Sequence, residues 1–153
     1  EALEDAEISE PPRTNTAVIL GNTLAGETSR AHLVRYRWPY ARRVFAELLD
    51  ELVRLNDVPR DHVASIIFTT TPDLNPEFPA VAARQAGWTE VALECLHEMN
   101  VPGSLQKCLR ILLHVNTERA ASELVHVYLR GARALRPDLV ARQDGHGTRV
   151  AAE

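Results

Sequence analysis

Cys95, His97 and Glu98, followed by Cys108 and Arg110, are the residues of this chain whose types and spacing could do chemistry, and a Pro102-Gly103 break separates the two groups. Proline lacks a backbone donor and glycine accepts positive φ, so the break reads as a turn or loop. Beyond it Lys107, Leu109, Ile111 and Leu113 fall on one side of an extended segment, and Cys108, Arg110, Leu112 and His114 fall on the other. Arg110 therefore stands among apolar neighbours. An unpaired charge in such company is expensive, so Arg110 is expected either to pair with an internal carboxylate or to face an anionic ligand. Glu98 is the candidate partner, or a second anchor for the same ligand. His97-Glu98 is not followed by a histidine at zinc-protease spacing, so no metal or other cofactor is expected. The chain has no GxGxxG, no Walker loop and no GxSxG elbow, and no nucleophile with a base beside it. What remains is a reaction that needs neither covalent nor proton-transfer help, or no reaction at all.

The elements that must position these residues can be read in order. Residues 1–13 are acidic and end in Pro11-Pro12-Arg13, which predicts a flexible tail. Residues 16–25 are β-branched and apolar up to Gly26, which suits a buried first strand. Arg30, Arg35, Arg37, Arg42 and Arg43 then interleave with Tyr36, Trp38 and Tyr40, but Glu47, Asp50 and Glu51 follow at once, so the stretch reads as the solvated entry to a helix, with Pro39 in its first turn. Val44, Leu48, Leu52 and Leu55, with Phe45 and Leu49 beside them, form the apolar stripe of that helix. A second buried strand is predicted over 63–69, a stiff proline-containing loop over 70–79, a short helix over 80–86 closed by Gly87, and a strand over 90–95. The segment after the Pro-Gly break continues as a strand over 109–115, 116–123 is a polar bridge, and 124–138 has a strand pattern ended by Pro137. Residues 141–153, with Gln143-Asp-Gly-His-Gly-Thr, read as a flexible tail. The expected architecture is a single α+β domain over 14–140, a mixed β-sheet with helices on one side.

Composition narrows the function classes. In 153 residues, 45% are hydrophobic and 25% charged, enough to bury one core and too few for two domains. A net charge of −4 argues against a nucleic-acid partner, no apolar run is long enough to span a membrane, and the acidic start is unlike a signal peptide. Two cysteines without CxxC spacing are expected to be reduced thiols in a cytoplasmic protein.

Taken together, Thr71-Pro-Asp-Leu-Asn-Pro-Glu-Phe78-Pro-Ala, Gly87-Trp88, Cys95-Leu-His-Glu98-Met, Gly103-Ser-Leu-Gln-Lys-Cys108-Leu-Arg110, His126-Val-Tyr128-Leu and Leu135-Arg136-Pro137-Asp138-Leu139 resemble one family. The chain is similar to the chorismate mutases of the trimeric pseudo-α/β-barrel type, the monofunctional bacterial class, from about residue 44 to 139. The resemblance implies a homotrimer with pockets between adjacent subunits, a small-molecule carboxylate substrate, and rearrangement of chorismate to prephenate in one pericyclic step. It implies that Arg110 faces the ether oxygen and a carboxylate, that Glu98 and Cys95 hold the ring hydroxyl, and that Tyr128 bonds a carboxylate. Arg84 and Arg136 would complete an anion-binding shell, with Phe78 and Leu135 as apolar wall.

Three positions depart from the family pattern. Leu20 stands where the first strand should carry an arginine before Gly21, Val81 where a lysine is expected after Pro79-Ala80, and Glu94 where a threonine precedes the pocket cysteine. The first strand is also separated from the long helix by roughly eight residues more than the family needs. An arginine of that inserted segment, Arg30, Arg35 or Arg37, is the expected substitute for the missing anchor. Two alternatives stay open: a diverged enzyme of the same fold acting on a less anionic compound, and a noncatalytic trimeric binding protein.

Overall fold

A computed structural model of the chain describes residues 16–24, 33–75 and 77–150. Among them five strands form one mixed sheet: β1 (Thr16–Leu24), β2 (Val63–Thr70), β3 (Ala92–His97), β4 (Cys108–Asn116) and β5 (Val127–Tyr128), in the order β3-β2-β4-β1-β5. β4 is antiparallel to β1 and β2, while β3 runs parallel to β2 and β5 parallel to β1. Alternation decides which face each side chain takes. Ile66 and Phe68 of β2 and Leu109, Ile111, Leu113 and Val115 of β4 are buried; Ile67, Thr69, Arg110, Leu112 and His114 occupy the opposite face and are only partly covered.

The buried face is closed by α1 (Leu33–Asn56), with α2 (Pro79–Gln85) and α3 (Pro137–Val150) packed beside it. Val44, Phe45, Leu48, Leu49, Leu52 and Leu55 of α1 are all buried, as their spacing predicts, and Phe45 meets Phe68 edge to face at 6.3 Å. The fold is thus the expected α+β arrangement, with its helices on one side of the sheet. α2 ends in a Schellman motif: Trp88 N–H bonds Ala83 O at 3.1 Å, Gly87 N–H bonds Arg84 O at 3.0 Å, and Gly87 takes the φ of 89° that this requires.

Three expectations need correction. α1 begins at Leu33, so Pro39 lies inside the helix and not in its first turn. Proline favours a helix start because the first turn has no use for its missing N–H, and a helix anchored by buried residues from Val44 to Leu55 tolerates the loss of one bond. The strand predicted over 124–138 is reduced to Val127–Tyr128, followed by a 3-10 turn over Arg130–Leu135. Tyr128 N–H is bonded by a side chain and Arg130 adopts a φ of 52°, which turns the chain out of the sheet. The flexible tail predicted from 141 is instead helical to Val150. Gly145 and Gly147 weaken intrinsic helicity, but tertiary bonds from Gln143 and Asp144 hold the helix in place. Residues 1–13, read as an acidic tail, and Arg30 lie outside the described residues, as do the side chains of Leu20, Arg35 and Arg37.

Candidate active site

Arg110 lies near the start of the central strand β4, where it pairs in register with Thr69 of β2 on one side and Asn22 of β1 on the other. Its guanidinium reaches Glu98 at 2.9 Å, with the arginine side chain 38% exposed and the glutamate 11% exposed. The second carboxylate oxygen of Glu98 accepts from the Thr69 hydroxyl at 2.7 Å. Glu98 itself is fixed by its own N–H, which bonds Thr70 O at 3.0 Å just past the end of β3. Thr69, Glu98 and Arg110 therefore form a chain in which both carboxylate oxygens are satisfied while guanidinium donors remain on the open face of the sheet. These three residues line a cavity of about 510 Å³ together with Leu96, Met99 and Leu112.

The start of β4 is stapled to the loop after β2. Thr71 N–H bonds Cys108 O at 3.0 Å, Cys108 N–H bonds the Thr71 hydroxyl at 2.9 Å, and Asp73 accepts Lys107 N–H on both oxygens, at 3.1 and 2.9 Å. Lys107 is held at φ 53° by this contact. The Pro102-Gly103 break is a β-turn closed by Ser104 N–H to Val101 O at 3.0 Å, with Gly103 at φ 81°. The Arg110 position thus follows from the break, the staple and the strand register together.

The other predicted residues fall into two places. Cys95 is in register with Phe68, on the helix side of the edge strand β3, and lines a second cavity of about 400 Å³ with Phe78, His97, Glu77 and Leu74. Burial pushes the Cys95 thiol up from its ordinary pKa, against the backbone of Ala80 and the charge of Arg84, so the thiol is protonated at neutral pH. Phe78 is 69% exposed at the rim, and Arg84 is an exposed residue of α2 near Cys95. On the far side of the sheet Tyr128 of β5 sits across Asn22 from Arg110 in the register. It is only 2% exposed, and burial raises its phenol pKa while Arg136 and Arg110 pull it down. Arg136 is clamped by Asp138 through two bonds, at 2.7 and 2.9 Å, and the same contact lowers the Asp138 carboxyl to about 2. Leu135 is partly exposed beside it.

The chain therefore brings Arg110 and Glu98 together, with Tyr128, Leu135 and Arg136 along the β5 side, and leaves Phe78 and Cys95 around a second cavity that meets the first at Leu96, with the charge of Arg84 near Cys95. Cys95 and Tyr128 are on opposite edge strands, four inter-strand steps of about 4.8 Å, or roughly 19 Å, apart. Thr69 was not singled out from the sequence; its alternation with buried Phe68 places it on the open face, but only the register shows that it meets Glu98. The departures from the family pattern are also ordered. Glu94 pairs with Ile67, Ile67 with Leu112 and Leu112 with Leu20, so two of the three lie in one row across the sheet, next to the row of Thr69 and Arg110.

Residues 40–139 match the protein-family model for chorismate mutase type I. The chorismate mutase AroH of Thermus thermophilus is 44% identical over 98 residues, covering 63% of this chain and 80% of that one. The chorismate mutase AroH of Bacillus subtilis is 38% identical over 94 residues, covering 61% of this chain and 74% of that one. A solved chorismate mutase from Clostridium thermocellum superposes with a TM-score of 0.65 at 41% identity, over 76% of this chain and 97% of that one. With the family model matched over well over half its length, this chain belongs to the type I chorismate mutase family.

Proposed function

We propose that the protein is an isomerase that rearranges chorismate to prephenate in a pocket shared between chains. The observation that carries this reading is the guanidinium of Arg110, partly exposed at a cavity and held from behind by Glu98 and Thr69. In the rearrangement one carbon–oxygen bond breaks as one carbon–carbon bond forms, within the same molecule, and negative charge develops on the ether oxygen. No nucleophile is needed, and a fixed cation at that oxygen stabilises the transition state more than the ground state. A guanidinium already ordered by its own carboxylate loses little freedom when the reaction begins.

In this reading Arg110 faces the ether oxygen and a carboxylate, Glu98 and the protonated Cys95 thiol hold the ring hydroxyl, and Tyr128 bonds a carboxylate. Arg84 and Arg136 supply further positive charge, and Phe78 and Leu135 the apolar wall. Arg136 would have to exchange its Asp138 partner for the ligand, and the buried phenol of Tyr128 would have to be uncovered. The roughly 19 Å between Cys95 and Tyr128 supports a pocket made by two copies, since one small ligand cannot touch both within a single chain. A homotrimer of the family type meets that requirement, and a cytoplasmic setting accords with two free thiols. Loss of chorismate absorbance with purified protein tests the activity; no turnover above background at saturating substrate rejects it.

A second reading is favoured by the row formed by Leu20 and Glu94: a diverged enzyme of the family whose substrate is less anionic than chorismate. Replacing an arginine and a lysine by Leu20 and Val81 and adding Glu94 lowers the positive potential at a site meant for a dianion. Leu20→Arg combined with Glu94→Thr should then raise chorismate turnover. An unchanged rate removes the basis for this second reading.

A further inference from the structure

Besides its short pairing with β1, β5 and the segment leading into it are held by two buried carboxamides. Its ladder with β1 consists of the pairs Gly21 with Val127 and Asn22 with Tyr128. Upstream, Asn56 at the end of α1 donates to Val125 O at 2.9 Å and accepts Val125 N–H at 2.7 Å. Downstream, Tyr128 N–H donates to the side-chain oxygen of Gln143 at 2.9 Å, and Gln143 is 7% exposed. β5 is an edge strand, so an outward amide there has no neighbouring strand to meet. Gln143 supplies the acceptor.

Gln143 belongs to α3 and lies beyond residue 139, where the family match ends. The helix that carries it is tied down around it. Arg133 holds Asp144 through two bonds, at 3.3 and 2.7 Å, Arg142 donates to Ser122 O, and Val140 is buried. These contacts hold a helix that contains Gly145 and Gly147, so its docked state depends on tertiary bonds more than on its own propensity.

We propose that Gln143 is a positioning residue for the rearrangement: from α3 it fixes the backbone of Tyr128, and with it the placement of the phenol relative to Arg110. The inference rests on the function proposed above. A group that reads a ligand carboxylate must be held to within about 0.5 Å, and a two-residue strand does not achieve this alone. The carboxylates are present in substrate and transition state alike, so loosening Tyr128 acts on KM more than on kcat.

Gln143→Met keeps the length of the side chain and removes the acceptor, whereas Gln143→Glu keeps an acceptor oxygen. Gln143→Met should raise KM for chorismate about tenfold with kcat within about twofold, the scale of one buried hydrogen bond, and Gln143→Glu should restore most of the loss. In a Tyr128→Phe background, Gln143→Met should add less than about twofold to KM. A fall in kcat with KM unmoved, which is what a smaller folded fraction produces, overturns the proposal. An equal rise in KM in both backgrounds does the same. Amide exchange reads the link without turnover: Tyr128 N–H should exchange faster in Gln143→Met than in the wild type, while Val125 N–H, held by Asn56, should not. Unaltered exchange at Tyr128 overturns the proposal whatever the kinetics. Faster exchange in a protein that turns over no chorismate would instead remove the function and leave the Gln143–Tyr128 link standing.

Discussion

Glu98 and Arg110 meet at 2.9 Å with Thr69 bonded behind them, whereas Cys95 and Phe78 share a cavity where the thiol is met by the backbone of Ala80 and the phenyl ring is largely exposed. Under the proposed function, the difference matches what each group would do. A cation that stabilises developing charge loses most of its effect if it must reorganise during the reaction, so its supports belong in the same chain. A thiol and an apolar rim act through shape, and a second chain or the ligand can complete them. The Arg110 half is thus assembled within one chain, and in the proposed assembly the Cys95 half would be completed by a second copy.

The largest break in this comparison is Arg110→Ala, which removes the prebuilt cation. We expect kcat to fall by about 10²–10³, the usual loss for one transition-state donor, with the fold retained because Arg110 is partly exposed. An undiminished rate would sink the mechanism. Next is Thr69→Val, which leaves the shape and deletes the donor to Glu98. It should lower kcat/KM about tenfold, and Thr69→Ser should recover it. Steady-state kinetics on the pair separates the hydroxyl from the methyl groups.

On the open side, Cys95→Ser should change kcat/KM only a few-fold, since a hydroxyl can replace a protonated thiol at the ring hydroxyl. A loss as large as that of Arg110→Ala would erase the distinction between the halves. The smallest effect is on stability at alkaline pH. Burial raises the pKa of both Cys95 and Cys108 above that of a free thiol. The unfolded chain therefore loses these protons first. Their contribution is fully present below about pH 9, the unfolded value, and declines as the pH rises toward the folded values. Urea midpoints measured from pH 8 upward should fall, and less so in Cys95→Ser. A midpoint that rises would contradict the shifts.

Arg110 and Glu98 were legible in the sequence because alternation after a Pro-Gly break isolates one charged residue among apolar ones, and a carboxylate stands just before the break. The α1 stripe and β2 were legible for the same reason of periodicity. Thr69 was not, because Thr69, Thr70 and Thr71 are alike in type and only strand register separates the one facing Glu98 from the one stapling Cys108. Gln143 was hidden by the glycines beside it, which lower local helicity and say nothing of a tertiary bond to Tyr128. The split between the two halves was hidden too, since sequence order places Cys95 three residues from Glu98 while the end of β3 sends them to different faces.

Asp73 grips the amide of Lys107 with both oxygens, at the point where the loop leading to Phe78 meets the first residues of β4. Beside the Thr71–Cys108 bonds, that contact ties the two rims together. A mutation there would slacken the cationic wall and the aromatic lip together, so a family member drifting toward a new ligand can reshape both sides through one codon.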